Sequence, residues 1–111
     1  MDGSHILSRC IGFDWDEDNS TKNWFKHRVS PAESEQLFFN HPLVVADDAK
    51  HSDKEKRFYA LGQTNEGRTL FVVFTVRMQM IRVISARDMS RKEREVYRAY
   101  EKEDPEIQKR R

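Results

Sequence analysis

Thr69-Leu70-Phe71-Val72-Val73-Phe74-Thr75-Val76-Arg77-Met78-Gln79-Met80-Ile81-Arg82-Val83-Ile84-Ser85-Ala86 is the stretch whose reading decides the fold. Two runs rich in β-branched and aromatic residues flank a two-residue break, the pattern of a β-hairpin. A turn at Met78-Gln79 sets Arg77 opposite Met80, Thr75 opposite Arg82 and Val73 opposite Ile84. Side chains alternate along strands, so Val72, Phe74, Val76, Ile81 and Val83 form one apolar face that packs against helices. Arg77 and Arg82 share the other face with Thr75 between them. Arginine on a sheet is costly unless it meets solvent, an acid or a bound anion. Two guanidinium groups and a hydroxyl suit a phosphate, and a pair of edge charges that blocks aggregation is an equal reading. The same register puts Arg87 on the face opposite Arg82, within reach of the pair only if the strand bends.

Working outward, Arg57 to Leu61 and Leu43 to Ala46 read as two further strands, with a turn at Asn65-Glu66-Gly67. Ile11, Phe13 and Trp15 alternate as a short strand that runs into Asp16-Glu17-Asp18, acids suited to the positive start of a helix. That helix spans Glu17 to His27, with Trp24 and Phe25 as its apolar stripe and Lys26, His27 and Arg28 at its negative end. Ser30, Pro31 and Glu33 form a capping box that opens a second helix, and Asn40-His41-Pro42 stops it. Ser90 with Glu93 opens a last helix carrying Val96, Tyr97 and Tyr100 on one face, which frays near Asp104-Pro105. The order strand, helix, helix, four strands, helix predicts an α+β architecture, an antiparallel sheet packed by short helices. A single domain is expected over residues 11–104, after a loose leader at 1–10 and before a frayed basic tail at 105–111.

A chain of 111 residues can bury one core but not two. The one cysteine, Cys10, excludes an internal disulfide, and no run approaches the roughly 20 apolar residues that cross a bilayer, so a reducing cytoplasm fits best. The net charge of +1 hides an asymmetry: residues 1–55 hold 6 Lys+Arg against 11 Asp+Glu, and residues 56–111 hold 14 against 8. Such a basic half suits an anion-binding face or a plain solvated surface. Arg91 and Arg94 continue the basic tract of Arg87 into the last helix, where a solvated helix face is the competing reading. None of His5, His27, His41 and His51 has the paired spacing of a zinc site, and no other metal or cofactor is implied. His27, beside Lys26 at a helix end, is placed to titrate near neutral pH, and His51 with Glu55 before Arg57 is a weaker pair of the same kind. A P-loop and a GxSxG elbow are both missing.

Phe13-Asp14-Trp15-Asp16, then Asn23 and Lys26-His27 leading to Val29-Ser30, resemble the opening of the BrnT family of type II toxins. Arg57-Phe58-Tyr59-Ala60-Leu61-Gly62, Leu70 to Thr75, Arg82 to Arg87, and Glu93-Arg94 with Tyr97 and Glu101 are similar to its later blocks, so the resemblance covers about residues 11–101. It implies a RelE-like fold, a ribonuclease that arrests translation, and a cognate BrnA-like antitoxin through which the complex represses its operon, touching operator DNA only indirectly. Members usually carry glycine where this chain has Arg28, a residue that must either accept left-handed strain of about 1 kcal/mol or end the helix differently.

Joined to that resemblance, the residues give two readings. In the first the chain is a metal-independent endoribonuclease in which Arg77 and Arg82 hold the scissile phosphate. Arg57 or Lys26 adds charge, His27 or His51 moves protons, and Arg87, Arg91 and Arg94 bind RNA. In the second it is a non-enzymatic module of the same fold that holds RNA or an acidic antitoxin.

Overall fold

The hairpin forms with the expected turn, and the strands around it build a five-stranded sheet in the order β1-β5-β4-β3-β2. The computed structural model describes residues 4–51 and 54–103. Its elements are β1 (Gly12–Phe13), α1 (Glu17–His27), α2 (Pro31–Leu37), β2 (Val44–Asp47), β3 (Arg57–Gln63), β4 (Thr69–Arg77), β5 (Met80–Asp88) and α3 (Arg91–Glu103). The architecture is α+β as expected, with β2 to β5 antiparallel; β1 joins β5 in parallel, through Gly12 and Phe13, and makes the sheet mixed. Met78 and Gln79 both take positive φ, 50° and 63°, as a two-residue hairpin turn with right-handed twist requires.

One sheet face carries the core, with Phe58, Ala60, Leu70, Val72, Phe74, Ile81 and Val83 buried against Val29 and Leu37. Leu37 of α2 lies so close to Gly62 that an added Cβ would meet its Cγ at 2.7 Å. A side chain at position 62 therefore forces α2 off β3, and Gly62→Ala is expected to cost about 1–3 kcal/mol, read as a lower denaturation midpoint. On the opposite face, at one end of the sheet, α3 seats Tyr97 with Leu61 and Met89. The Tyr97 hydroxyl donates to the Pro42 carbonyl at 2.6 Å. Val96 and Tyr100, read with Tyr97 on one helix face, stay about half exposed.

The reading of α1 needs correction at its faces. Its bounds are as expected, but Trp24 and Phe25 point outward, 45% and 75% exposed, and the buried residues are Asn19 and Asn23. The reason lies in β5, whose edge β1 covers only at Met80 and Ile81. Beyond that point the Asn19 Nδ2 donates to the Val83 carbonyl, and the Asn23 Oδ1 accepts from the Ala86 N–H. Two amides four residues apart lie on one helix face and so stand in for the missing strand.

Arg28 takes the first of its two alternatives, a left-handed cap at φ 55° and ψ 39°. The Arg28 N–H reaches the Trp24 carbonyl, the 5→1 bond of an αL helix ending, and the Val29 N–H reaches back to the Asn23 carbonyl. Arg68 then donates to the carbonyls of His27 and Arg28 while it also holds Glu33 and Asp88. Arg28→Gly should relieve about 1 kcal/mol of strain and lose part of that with the guanidinium that lies over Trp24. A melting temperature a few degrees higher is the expected result, with Arg28→Ala lower than wild type.

Residues 4–9, read in the sequence as part of a loose leader, form a 3-10 helix, and Ile6, Leu7 and Cys10 pack against the core. The basic tail at 105–111 and the break near Asp104-Pro105 lie outside the described residues.

Candidate functional site

The face of the sheet away from the core is where the polar candidates gather. Thr75 pairs with Arg57 on one side and with Arg82 on the other, so β3, β4 and β5 each bring one arginine, Arg57, Arg77 and Arg82, to a hollow of about 240 Å³. Lys22 from α1 lines the same hollow, with Asp18 and Glu55. Sequence reasoning passed over Lys22; its signal is its place one turn beyond Asn19, beside the face that meets β5.

The arginines meet acids here. The Arg82 Nη2 donates to Asp16 at 2.7 Å and its Nη1 lies 3.6 Å from Asp14, with the side chain only 16% exposed. Arg77, 51% exposed, makes a forked pair with Glu55 at 2.7 and 3.0 Å. The Thr75 hydroxyl, expected to join them on a phosphate, is buried and donates to the Lys56 carbonyl. Of the three groups expected to face an anion, the two guanidinium groups remain at the hollow.

Arg87 needs a second correction. Phe74 pairs with Val83 but Val73 pairs with Ser85, a β-bulge that leaves Ile84 as the extra residue. The bulge reverses the alternation, so Arg87 pairs with Phe71 and lies on the same face as Arg82. Its guanidinium sits 4.3 Å from the Phe71 ring centroid and is forked onto Glu93 at 2.8 and 3.0 Å. Arg94 donates to the Met89 carbonyl, and Arg91 is highly exposed with Glu95 at 3.8 Å; neither lines the hollow.

The histidine and lysine candidates are divided. The 11-residue α1 separates Asp16, where Arg82 binds, from His27 by about 16 Å along its axis. Lys26 and His27 therefore stand at the Arg68–Asp88 end, away from the arginine hollow. His51 ends the 3-10 turn Ala49–His51, which packs on β3, the strand of Arg57; its side chain lies outside the described residues.

The charge pairs fix the titration of the acids. Asp16 is held below the usual carboxylate range by the Asn19 backbone N–H and by Arg82, and Glu55 by Arg77. Arg68 does the same to Asp88 and Arg87 to Glu93. Depressed carboxylates stabilise the fold above their unfolded values and lose that contribution as pH falls through the folded ones. The melting temperature should thus be level from about pH 7 to 5 and drop below about pH 4, less steeply in high salt, as a pH series of thermal scans will show.

Among the described residues no three of His, Cys, Asp and Glu converge as metal ligands, and no helix is long and apolar enough to cross a membrane. No curated protein matches the chain. Residues 15–93 match the family described as the ribonuclease toxin, BrnT, of type II toxin-antitoxin systems, and the match spans α1 through the start of α3. The chain therefore belongs to the BrnT family of ribonuclease toxins.

Proposed function

We propose that the chain is an endoribonuclease that needs no metal and in which Arg57, Arg77 and Arg82 surround the scissile phosphate of RNA. The observation that carries this is the convergence of those three side chains, one from each of three adjacent strands, on one hollow with Lys22. In the reaction the RNA 2′-oxygen attacks phosphorus, its proton passes to a base, the bond to the 5′-oxygen breaks, and that oxygen takes a proton from solvent and leaves as a hydroxyl. Charge grows on the non-bridging oxygens, where fixed guanidinium groups stabilise it most. His51 is the base best supported, because its turn packs on the strand of Arg57, and His27 is a helix length away. His51→Ala should slow cleavage by about 10²–10⁴-fold and His27→Ala should leave it nearly unchanged. Incubation with single-stranded RNA in excess EDTA tests the whole scheme, with a 2′,3′-cyclic phosphate expected on the upstream fragment; a 3′-hydroxyl or abolition by EDTA contradicts it.

The family also implies arrested translation in the cytoplasm and a tightly bound BrnA-like antitoxin that carries any operator binding. Expression of the chain alone should slow growth, and the neighbouring gene product should restore it. The ion pairs from Arg82 to Asp14 and Asp16 and from Arg77 to Glu55 favour a second reading, a non-enzymatic module whose arginines brace the fold. An RNA left intact at high enzyme concentration would select it.

A further inference from the structure

The arginine hollow does not end at Arg57. A second hollow of about 370 Å³ shares Arg57 and Ile84 with it and runs on over Tyr59, Phe71, Val73 and Ser85. A third, of about 330 Å³, shares Tyr59 and Phe71 and reaches Leu61, Lys92 and Val96. Together they form a trough along the open sheet face, cationic at the Arg77 end and apolar beyond Arg57. From Arg57 to Leu61 it covers four steps of β3, about 13 Å.

Its apolar part is ordered for flat ligands. Tyr59 and Phe71 stack with ring centroids 5.6 Å apart and planes inclined by 20°. Arg87 covers Phe71 from the side of β5, so the three planar groups form a row across the sheet. Phe71 packs at one edge against the small cluster of Leu61, Met89 and Tyr97, but both rings remain partly exposed and the main core lies on the other face. Neither the Tyr59 hydroxyl nor the Ser85 hydroxyl has a partner among the described residues, which leaves both to read polar edges. The bulge at Ile84 is what brings Ser85 and Arg87 to this face.

We propose that this part of the trough is a nucleobase subsite: unpaired bases of single-stranded RNA enter the Tyr59–Phe71–Val73 hollow while the adjoining phosphate meets Arg57, Arg77 and Arg82. The inference rests on the RNA reading above and adds to it the segment that selects single strands. Duplex RNA keeps its bases stacked inside the helix and cannot offer a ring to Tyr59, whereas a splayed base stacks on an aromatic face or a guanidinium plane. Arg57 joins the apolar hollow to the cationic one and Lys92 stands at the far end. Asp48 and Glu93 balance them within the apolar part, so the net positive charge lies at the Arg57–Arg77–Arg82 end, where the phosphate is placed, and the stacked rings favour the base.

The test is fluorescence anisotropy with a labelled single-stranded 2′-O-methyl oligoribonucleotide, which the proposed reaction cannot cut, against its duplex and a version with abasic sites. Wild-type protein should bind the single strand at least tenfold more tightly than the duplex or the abasic strand. Tyr59→Ala should bind the intact strand about tenfold more weakly, as the loss of one stacked base predicts, with Tyr59→Phe close to wild type. The abasic comparison needs no variant and stands if Tyr59→Ala misfolds. Equal affinity for intact and abasic strands, or for wild type and a folded Tyr59→Ala, overturns the subsite and leaves the trough as a protein-docking face. Absence of all oligonucleotide binding by wild type is a different result and brings down the RNA reading itself.

Discussion

Asn19→Leu is expected to destabilise the protein by about 3 kcal/mol and to lower its melting temperature by more than about 10 °C. The Asn19 amide serves three backbone groups at once. Its Oδ1 accepts the Asp16 N–H at 2.7 Å, and its Nδ2 donates to the carbonyls of Asp14 and Val83 at 3.0 and 3.1 Å. Leucine leaves the Val83 carbonyl without its partner in a buried place and the Asp16 N–H and Asp14 carbonyl without theirs in a half-buried one, at roughly 1 kcal/mol each. Asn23→Leu should cost less. It orphans the Ala86 N–H, but it also removes the Asn23 Nδ2, a buried donor with no partner among the described residues. Chemical denaturation of the two variants tests the order, and equal losses would mean that the two amides do not act as a substitute strand.

Arg82→Ala should lose both activity and stability. An arginine that stabilises the transition-state charge is worth about 10²–10³ in rate, by analogy with a single oxyanion donor. The sequence alone suggests an exposed residue of little structural value, but Arg82 is mostly buried and ties the β1–α1 link through Asp14 and Asp16. Its removal should cost about 1 kcal/mol besides the rate, and Arg82→Lys should recover the charge but not the two-sided grip. Cleavage at the wild-type rate by a destabilised Arg82→Ala would assign the residue to the fold alone.

The hairpin, the helix bounds and the capping boxes were legible because each rests on local spacing: alternation in β4 and β5, and Ser30 with Glu33 or Ser90 with Glu93. The inward face of α1 was not. A reading that turns apolar residues inward points Trp24 and Phe25 at the core, and only the i, i+4 pair Asn19 and Asn23 signals the opposite. The bulge at Ile84 has no glycine or proline to announce it, so Arg87 was assigned the wrong face. The acids on the arginines are also invisible in the sequence, since Asp16 and Arg82 lie 66 residues apart. Arg77 and Arg82 could be set on one face because strand register is predictable near a tight turn, whereas Arg57 was offered for its charge alone, as an alternative to Lys26; Lys26 and His27 were grouped with them because sequence does not show the length of α1 as a distance.

Arg77→Ala gives the most direct test of the arginine site, because Arg77 is half exposed and, among the described residues, is bonded to Glu55 alone, which leaves the fold little to lose. Cleavage of a single-stranded RNA should be timed for wild type and Arg77→Ala, with a thermal scan of each preparation. The account predicts a rate at least about 100-fold lower at a nearly unchanged melting temperature. A wild-type rate in the folded variant would contradict it.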